Sequence, residues 1–317
     1  MEVNSYIFNF DRMLKKILIN IVLVGITVFV FDLLIGKSLN YNYFKAVEGE
    51  NFQITHAMEK TKADVLIIGS SRANHHYIPK MIQDSLNLSC YNAGMDGCVL
   101  LYQNAILKSV LKRYVPKVII LDFIGGLEDE ELSYDMLSML TPYYDTHEEI
   151  REVVEQKSPF EKIKLLSNIY PHNSEVYNIL RNTNHSNKRV TDNGYKPEEG
   201  VWQKEMDTIK TVIPYEFDKT ILAANKEFLH LAKNSGAKVI VIYSPIYLSF
   251  KQKQEIDFMK KLCKEQKIPF WDFSNDSLFL NNKKYFKDVK HLNHIGASLY
   301  TNIIIEKLKK ELKLKNK

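Results

Sequence analysis

Five short runs of apolar residues recur along this chain, and helical patterns separate them. The runs span residues 63–69, 88–94, 117–122, 238–243 and 268–273. Runs that are apolar throughout, rather than at alternate positions, are typical of strands buried on both faces of a parallel sheet. This alternation predicts an α/β fold with a mostly parallel five-stranded sheet, doubly wound, that carries helices on both faces.

Helices are predicted between and after these runs, over residues 99–114, 217–234, 250–266 and 294–314. Pro116 and Gly236 provide stop signals for the first two. The interval 127–216 is too long for one crossover and is rich in Tyr, Asn and Glu. We expect it to form an insertion of short helices, with a loop around 191–200, that covers the carboxyl ends of the strands.

The segment Ile17–Ile35 is mostly apolar and carries one charge, Asp32, about one turn from its end. A helix of about 20 apolar residues spans the hydrocarbon core of a bilayer. A buried core helix is the alternative, but the segment is apolar all round and lies near the N-terminus. Residues 36–41 make a poor signal-peptidase site. The sequence therefore predicts an uncleaved signal anchor over 17–36.

The basic residues around this segment indicate its orientation. Three precede it and two follow it closely, which favours a cytoplasmic N-terminus. Residues 1–16 would then be cytoplasmic, 37–62 a linker, and 63–317 an α/β domain outside the cytoplasmic membrane, held by a single-pass anchor.

Composition excludes several classes of protein. With 45% hydrophobic and 26% charged residues, the chain is neither disordered nor collagen-like. Its formal charge of +5 is small and partly confined to the tail after residue 306, so no nucleic-acid partner is expected. Cys90, Cys98 and Cys263 cannot form a disulfide framework. The chain has no C-x-x-C motif, and we expect neither a structural zinc site nor a cofactor.

The first apolar run ends in Gly69–Asn74, which reads Gly-Ser-Ser-Arg-Ala-Asn. A serine on such a strand-to-helix turn can present its hydroxyl beside the N–H groups of the helix start. The alternative is a serine that only caps the helix.

The second run ends in Tyr91–Gly97, which contains Gly94. Gly94 could offer its backbone N–H to an oxyanion. The alternative is a tight turn before the next helix.

Near the C-terminus, Asp288 precedes His291 by three residues, just before the last predicted helix. A carboxylate at this spacing can hold the imidazole Nδ1–H and leave Nε2 free to take a proton from a serine. The alternatives are a loop aspartate and a surface histidine, with Asn293 capping the helix. A metal pair of His291 and His294 lacks a third ligand at a fitting spacing.

The combination of these three motifs closely resembles the SGNH, or GDSL-like, hydrolase superfamily. The resemblance covers Ala63 to the C-terminus and is closest to membrane-anchored members with Gly-Ser-Ser-Arg in place of Gly-Asp-Ser. It implies a flavodoxin-like three-layer fold. It also implies Ser71 as nucleophile and oxyanion donor, Gly94 as a second oxyanion donor, and Asp288 and His291 as the acid and base of a triad.

One motif of the family is missing. The family carries Gly-x-Asn-Asp after the third strand, whereas residues 121–127 contain no asparagine. Oxyanion binding would then depend on the backbone N–H groups of Ser71 and Gly94, or on an unidentified donor from the insertion. Losing one such donor typically costs about 10²–10³ in rate.

Two other enzyme folds fit less well. The elbow Gly-x-Ser-x-Gly of α/β-hydrolases usually follows several strands, with its acid and histidine far apart. The sequence also lacks the Gly-x-Gly-x-x-Gly motif that a dinucleotide-binding site requires.

The resemblance therefore implies a serine esterase or O-acyltransferase that acts on an ester of an extracytoplasmic glycan, such as a cell-envelope polysaccharide. Its partners would be an acylated glycan or other acyl donor, a membrane-embedded acyl-donor protein, and the lipid bilayer around the anchor. The alternative is a catalytically inactive, membrane-tethered scaffold of the same fold. Aromatic residues of the insertion are candidates for stacking on sugars, and equally for packing in the core: Tyr143, Tyr144, Tyr170 and Trp202.

Overall fold

The computed structural model describes residues 2–125, 130–182, 193–204, 216–247 and 253–314. Within them lies a five-stranded sheet in the order β2-β1-β3-β4-β5, with every neighbouring pair parallel. Its strands are β1 Val65–Gly69, β2 Cys90–Asn92, β3 Val118–Asp122, β4 Lys238–Tyr243 and β5 Phe270–Asp272. Each lies inside one of the five predicted runs, so the predicted α/β fold with a parallel sheet is confirmed.

The helices occupy the intervals between the strands. Their bounds are α1 Glu2–Phe44, α2 Gly49–Thr55, α3 Ser71–His76, α4 Pro79–Leu86, α5 Leu100–Arg113, α6 Glu130–Asp135, α7 Arg151–Glu155, α8 Glu161–Lys164, α9 Val176–Asn182, α10 Lys219–Asn234, α11 Lys253–Gln266 and α12 His294–Glu311. Turns of 3₁₀ helix add Met136–Tyr143, Glu148–Ile150, Tyr170–His172 and Lys283–Tyr285. The start of the helix predicted from residue 250 lies outside the described residues.

The sheet forms the centre of the core. All five residues of β1 are buried, as are all five of β3. Helix α12 packs against α3 and α4, and α10 packs against α5 and α11. Two such groups of helices are what a sheet covered on both faces requires. The chain runs from β1 to β2 on one side and to β3 on the other, so the carboxyl end of β1 lies at the switch point where ligands bind in such sheets.

The chain divides into two compact units. The first combines the described residues of 1–46 with those of 159–182, and the second contains the sheet. Within the first unit, α1 is one uninterrupted helix. Its section Arg12–Phe44 is long and apolar enough to cross a membrane. The predicted insertion 127–216 therefore contributes to both units, and its residues 127–129, 183–192 and 205–215 lie outside the described part.

Residues 37–62, predicted as a linker, are mostly helical. Helix α1 continues to Phe44, and α2 is followed by a turn of π helix, His56–Lys60. The physical reason is burial, because Ile54, Ala57 and Met58 lie in the core of the second unit. Polar residues lie between these three apolar residues, and the apolar spacing was therefore not recognised in the sequence.

Candidate functional site

The turn after β1 positions Ser71. Gly69 closes the strand, buried Ser70 precedes the helix in extended conformation, and Ser71 is the first residue of α3. A side chain on Gly69 would approach Ala73 Cβ to 2.6 Å and the Asp122 carbonyl oxygen to 2.9 Å, so only glycine fits. This tight turn leaves the Ser71 side chain half-buried beside the first N–H groups of α3, which have no acceptor within the helix.

The structure brings Ser71, His291 and Asp288 together. His291 Nε2 lies 2.7 Å from Ser71 Oγ, and His291 Nδ1 lies 2.8 Å from Asp288 Oδ2. Asp288 Oδ1 also accepts hydrogen bonds from the backbone N–H groups of Lys290 and His291. Burial alone would raise the pKa of Asp288, but the bonds from His291 and these N–H groups lower it to about 2. Asp288 is therefore a carboxylate at neutral pH and holds the imidazole with Nδ1 protonated.

A short loop before α12 holds the acid and the base. An antiparallel bridge joins Phe286 to Leu292 at the base of this loop. His76 Nε2 accepts the backbone N–H of Leu292 at 3.0 Å, which requires this nitrogen to be unprotonated. Asn293 caps α12 by accepting the N–H of Gly296 and donates to the carbonyls of Lys284 and Gly200. The backbone of the loop that carries His291 is thus fixed by a contact from α3 and by the cap of α12.

A second histidine lies beside the triad. The His75 ring centroid is 5.4 Å from that of His291, edge to face. Its Nδ1 contacts the Lys196 carbonyl at 2.7 Å and its Nε2 contacts Asp96 Oδ1 at 3.1 Å. Both partners are acceptors, so both nitrogens must carry hydrogens. Burial lowers the pKa of His75, but the hydrogen bond and charge of Asp96 outweigh it and raise the pKa.

Gly94 lies against the start of α3, but its N–H is engaged. It donates to Asn92 Oδ1 at 2.9 Å, while Asn92 Nδ2 donates to the carbonyls of Ala73 and Tyr77. A side chain on Gly94 would collide with the backbone nitrogen of Asn74. Gly94 therefore allows the chain after β2 to pack closely against α3. Of the two candidate oxyanion donors, the backbone N–H of Ser71 is the one that lies at the start of the helix.

Arg72 was not singled out from the sequence, although it follows Ser71 directly. It is buried and donates to the carbonyls of Phe123 and Ser244, which follow β3 and β4. Its guanidinium also lies 4.2 Å from the Tyr243 ring centroid and 3.8 Å from Asp122. Arg72 therefore joins the carboxyl ends of three strands beneath the Ser71 turn. The sequence signal was a charged residue three positions after an apolar strand, in the first turn of the helix that follows it.

The remaining candidates contact residues other than Ser71. His294 Nδ1 contacts the Tyr195 hydroxyl at 3.0 Å instead of pairing with His291. Tyr143 and Trp202 are buried, and Tyr170 donates its hydroxyl to Glu161. Among the described residues, no group of three or more His, Cys, Asp or Glu is placed to hold a metal ion.

Comparisons with known proteins do not assign this chain to a family. No family model matches it, and no curated protein is significantly similar to it.

Proposed function

We propose that this protein is a serine esterase or O-acyltransferase that forms an acyl-enzyme on Ser71. One observation carries the proposal: the continuous hydrogen-bonded chain from Ser71 Oγ through His291 to Asp288, with contacts of 2.7 and 2.8 Å. A serine is a weak nucleophile without an adjacent base, and a base needs a third group to orient it. The three side chains fulfil these requirements at the carboxyl end of β1.

In the first half-reaction, Ser71 Oγ attacks the acyl carbonyl while His291 Nε2 accepts the hydroxyl proton. The resulting imidazolium is stabilised by Asp288, and then donates this proton to the leaving alcohol as the ester bond breaks. In the second half-reaction, water or a sugar hydroxyl loses its proton to His291 and attacks the acyl-enzyme. The acceptor takes the acyl group, and Ser71 regains its proton.

Oxyanion stabilisation in this proposal depends mainly on the backbone N–H of Ser71. The Gly94 N–H is already bonded to Asn92, and the sequence after β3 lacks the family's asparagine. The site has fewer oxyanion donors than a fast esterase. We therefore expect the rate of hydrolysis to be lower by a factor of about 10²–10³ for one missing donor. The same missing donor would slow transfer to a sugar hydroxyl, because both acceptors attack the acyl-enzyme through an oxyanion intermediate. The choice between water and sugar then depends on which acceptor is positioned next to His291.

The proposed place of action is the outer surface of the cytoplasmic membrane. The apolar section of α1 supports a single-pass anchor, and the basic residues before it support a cytoplasmic N-terminus. The glycan substrate and a membrane-embedded acyl donor follow from the resemblance to SGNH hydrolases. The second candidate function, an inactive scaffold, is favoured by the engaged Gly94 N–H.

A transfer assay separates these two functions. Full-length protein in detergent is incubated with a chromogenic acetyl ester, with and without a cell-wall oligosaccharide. Acetylation of the oligosaccharide is then measured by mass spectrometry. We expect acetyl transfer that Ser71→Ala abolishes and that the neighbouring control Ser70→Ala retains. If the parent releases no more acetate than Ser71→Ala and acetylates no sugar, the scaffold function replaces the enzyme.

A further inference from the structure

The first unit exposes apolar side chains outside α1, around α8. Phe160, Ile163 and Leu166 expose 65, 66 and 79% of their surface. Phe160 precedes α8, Ile163 lies in it and Leu166 follows it. Because the three residues are three positions apart, their side chains lie on one side of the segment. These three residues are called the apolar patch below. A soluble surface rarely groups large apolar side chains in this way.

The chain directly after the patch is fastened to α1 through Asp32. Four groups donate to its carboxylate: the hydroxyl of Ser167, the backbone and side-chain N–H groups of Asn168, and the backbone N–H of Ile169. A side chain on Gly36 would collide with Asn168, so glycine at that position permits the contact. The segment is thus held against α1 at the level of residues 32–36.

That level lies inside the apolar part of α1. A helix rises about 1.5 Å per residue, so Asp32 is roughly 5 Å along the axis from Ile35, where the apolar run ends. Leu34 and Ile35 are exposed on the same turn. If hydrocarbon surrounds these two side chains, residues 167–169 lie at the edge of the hydrocarbon layer, and Leu166 precedes them directly.

The polar residues of the segment agree with this position. Glu161 is buried and accepts the Tyr170 hydroxyl, whereas Lys162 is exposed beside the patch. Basic side chains flanking an apolar face are typical of helices that lie in the headgroup region of a bilayer. The carboxylate of Asp32, costly in hydrocarbon, is satisfied by four donors from the same segment.

We infer that residues 160–169 form a membrane-embedded shoulder of the protein, with the apolar patch inserted into the outer leaflet and Asp32 as its attachment point on α1. This inference rests on the proposed membrane anchor but not on the proposed chemistry at Ser71. The shoulder gives the protein a second lipid contact beside the transmembrane helix.

Lipid quenching tests the inference. Full-length variants Leu166→Cys and Ile163→Cys are labelled with an environment-sensitive fluorophore and reconstituted into phosphatidylcholine–phosphatidylglycerol vesicles. Lipids with a spin label near the headgroup act as quencher for the patch labels, and lipids with a spin label near the end of the acyl chain act as quencher for a label at the bilayer centre. Aqueous iodide is the opposing quencher. Cys90, Cys98 and Cys263 are buried, so the unsubstituted protein measures background labelling. Val24→Cys, on an exposed apolar turn of α1, reports the anchor, and Lys233→Cys reports the aqueous phase.

We expect the headgroup quencher to reduce the fluorescence of both patch labels about twofold or more, with little effect of iodide. The Lys233 label should show the opposite preference. Quenching of the Val24 label without quenching of either patch label would overturn the shoulder and leave the anchor intact. Patch labels shielded from both quenchers would also overturn it, because a protein partner would then cover the patch. If the Val24 label escapes the acyl-chain quencher too, the anchor itself fails.

Discussion

The two units treat apolar and polar side chains in opposite ways. In the sheet unit, the residues of β1 from Val65 to Ile68 are fully buried, and polar groups gather where the strands end. In the helix unit, α1 is exposed from Arg12 to Phe31, and the carboxylate that follows, Asp32, is covered by hydrogen-bond donors. The sheet unit therefore has a buried apolar core, whereas the helix unit carries an exposed apolar helix that is long enough to cross a membrane.

The comparison teaches that the length of an apolar run does not decide its burial, because its neighbours decide it. Helices on both faces cover the short runs of the sheet, whereas the described residues leave the 12–31 part of α1 uncovered. The polar residues follow from this difference. In the sheet unit, polar side chains contact one another where the strands end, and in the helix unit, uncharged donors form hydrogen bonds to a single carboxylate.

The largest expected effect concerns the polar groups of the sheet unit. Ser71→Ala and His291→Ala should each reduce acyl transfer by at least about 10³-fold, because the two side chains act as one unit. Asp288→Asn should cost less than either, since the carboxylate acts only through the imidazole. Ser70→Ala should retain most activity. Steady-state kinetics in detergent measure all four, and an inactive Ser70→Ala beside an active Ser71→Ala would shift the nucleophile by one residue.

Stability should distinguish the two kinds of apolar residue. Ile67→Ala, in fully buried β1, should lower the free energy of unfolding by about 2–5 kcal/mol. Ile21→Ala, on the exposed surface of α1, should change it by less than about 0.5 kcal/mol. Chemical denaturation in nonionic detergent, followed by tryptophan fluorescence, measures both. Equal costs for the two variants would mean that Ile21 packs against protein, and the contrast between the units would fail.

Three glycines allow a finer comparison of close packing. Gly94 of the sheet unit and Gly36 of the helix unit both leave no space for a side chain, whereas Gly25 has nothing within 4 Å. Gly94→Ala and Gly36→Ala should destabilise by about 1–3 kcal/mol through strain, as overpacking does. Gly25→Ala should be neutral or slightly stabilising, because alanine favours helix. Thermal unfolding of the three variants tests this, and a neutral Gly36→Ala would argue against the contact with Asn168.

The smallest effect concerns pH. The raised pKa of His75 means that its charged form stabilises the fold below the unfolded value of 6.5, and this stability is lost as pH rises through the folded pKa. Lys196, Glu198 and Asp96 surround the ring. His75→Gln should therefore melt a few degrees below the parent at about pH 5.5, with a smaller difference at about pH 8.5. A difference that grows with pH would contradict the assignment of a charged His75.

The sequence was most informative where short-range chemistry decides the structure. The five apolar runs contain the five strands of the described sheet. The reason is clearest for the central strands β1, β3 and β4, because a strand buried on both faces must be mostly apolar. The spacing of Asp288 and His291 predicted their hydrogen bond, because a three-residue turn can join them. These signals lie within a few residues of one another, so they can be recognised without the fold.

The contacts that the sequence did not reveal join distant segments. Asp32 contacts residues 135 or more positions away, and no local pattern marks Ser167 and Asn168 as its donors. His75 was adjacent to the serine motif, but its partners Asp96 and Lys196 come from two other loops. The engagement of the Gly94 N–H depended on the rotamer of Asn92, which composition cannot specify.

Labelling with a serine-reactive phosphonate tests the central claim most directly. The full-length protein in detergent is incubated with the reagent, digested and mapped by mass spectrometry. The proposed triad predicts one stoichiometric adduct on Ser71, retained in Ser70→Ala and lost in His291→Ala, because the hydroxyl needs its base to react. An unmodified Ser71 in folded protein, or an adduct that persists without His291, would contradict the claim that this serine is an activated nucleophile.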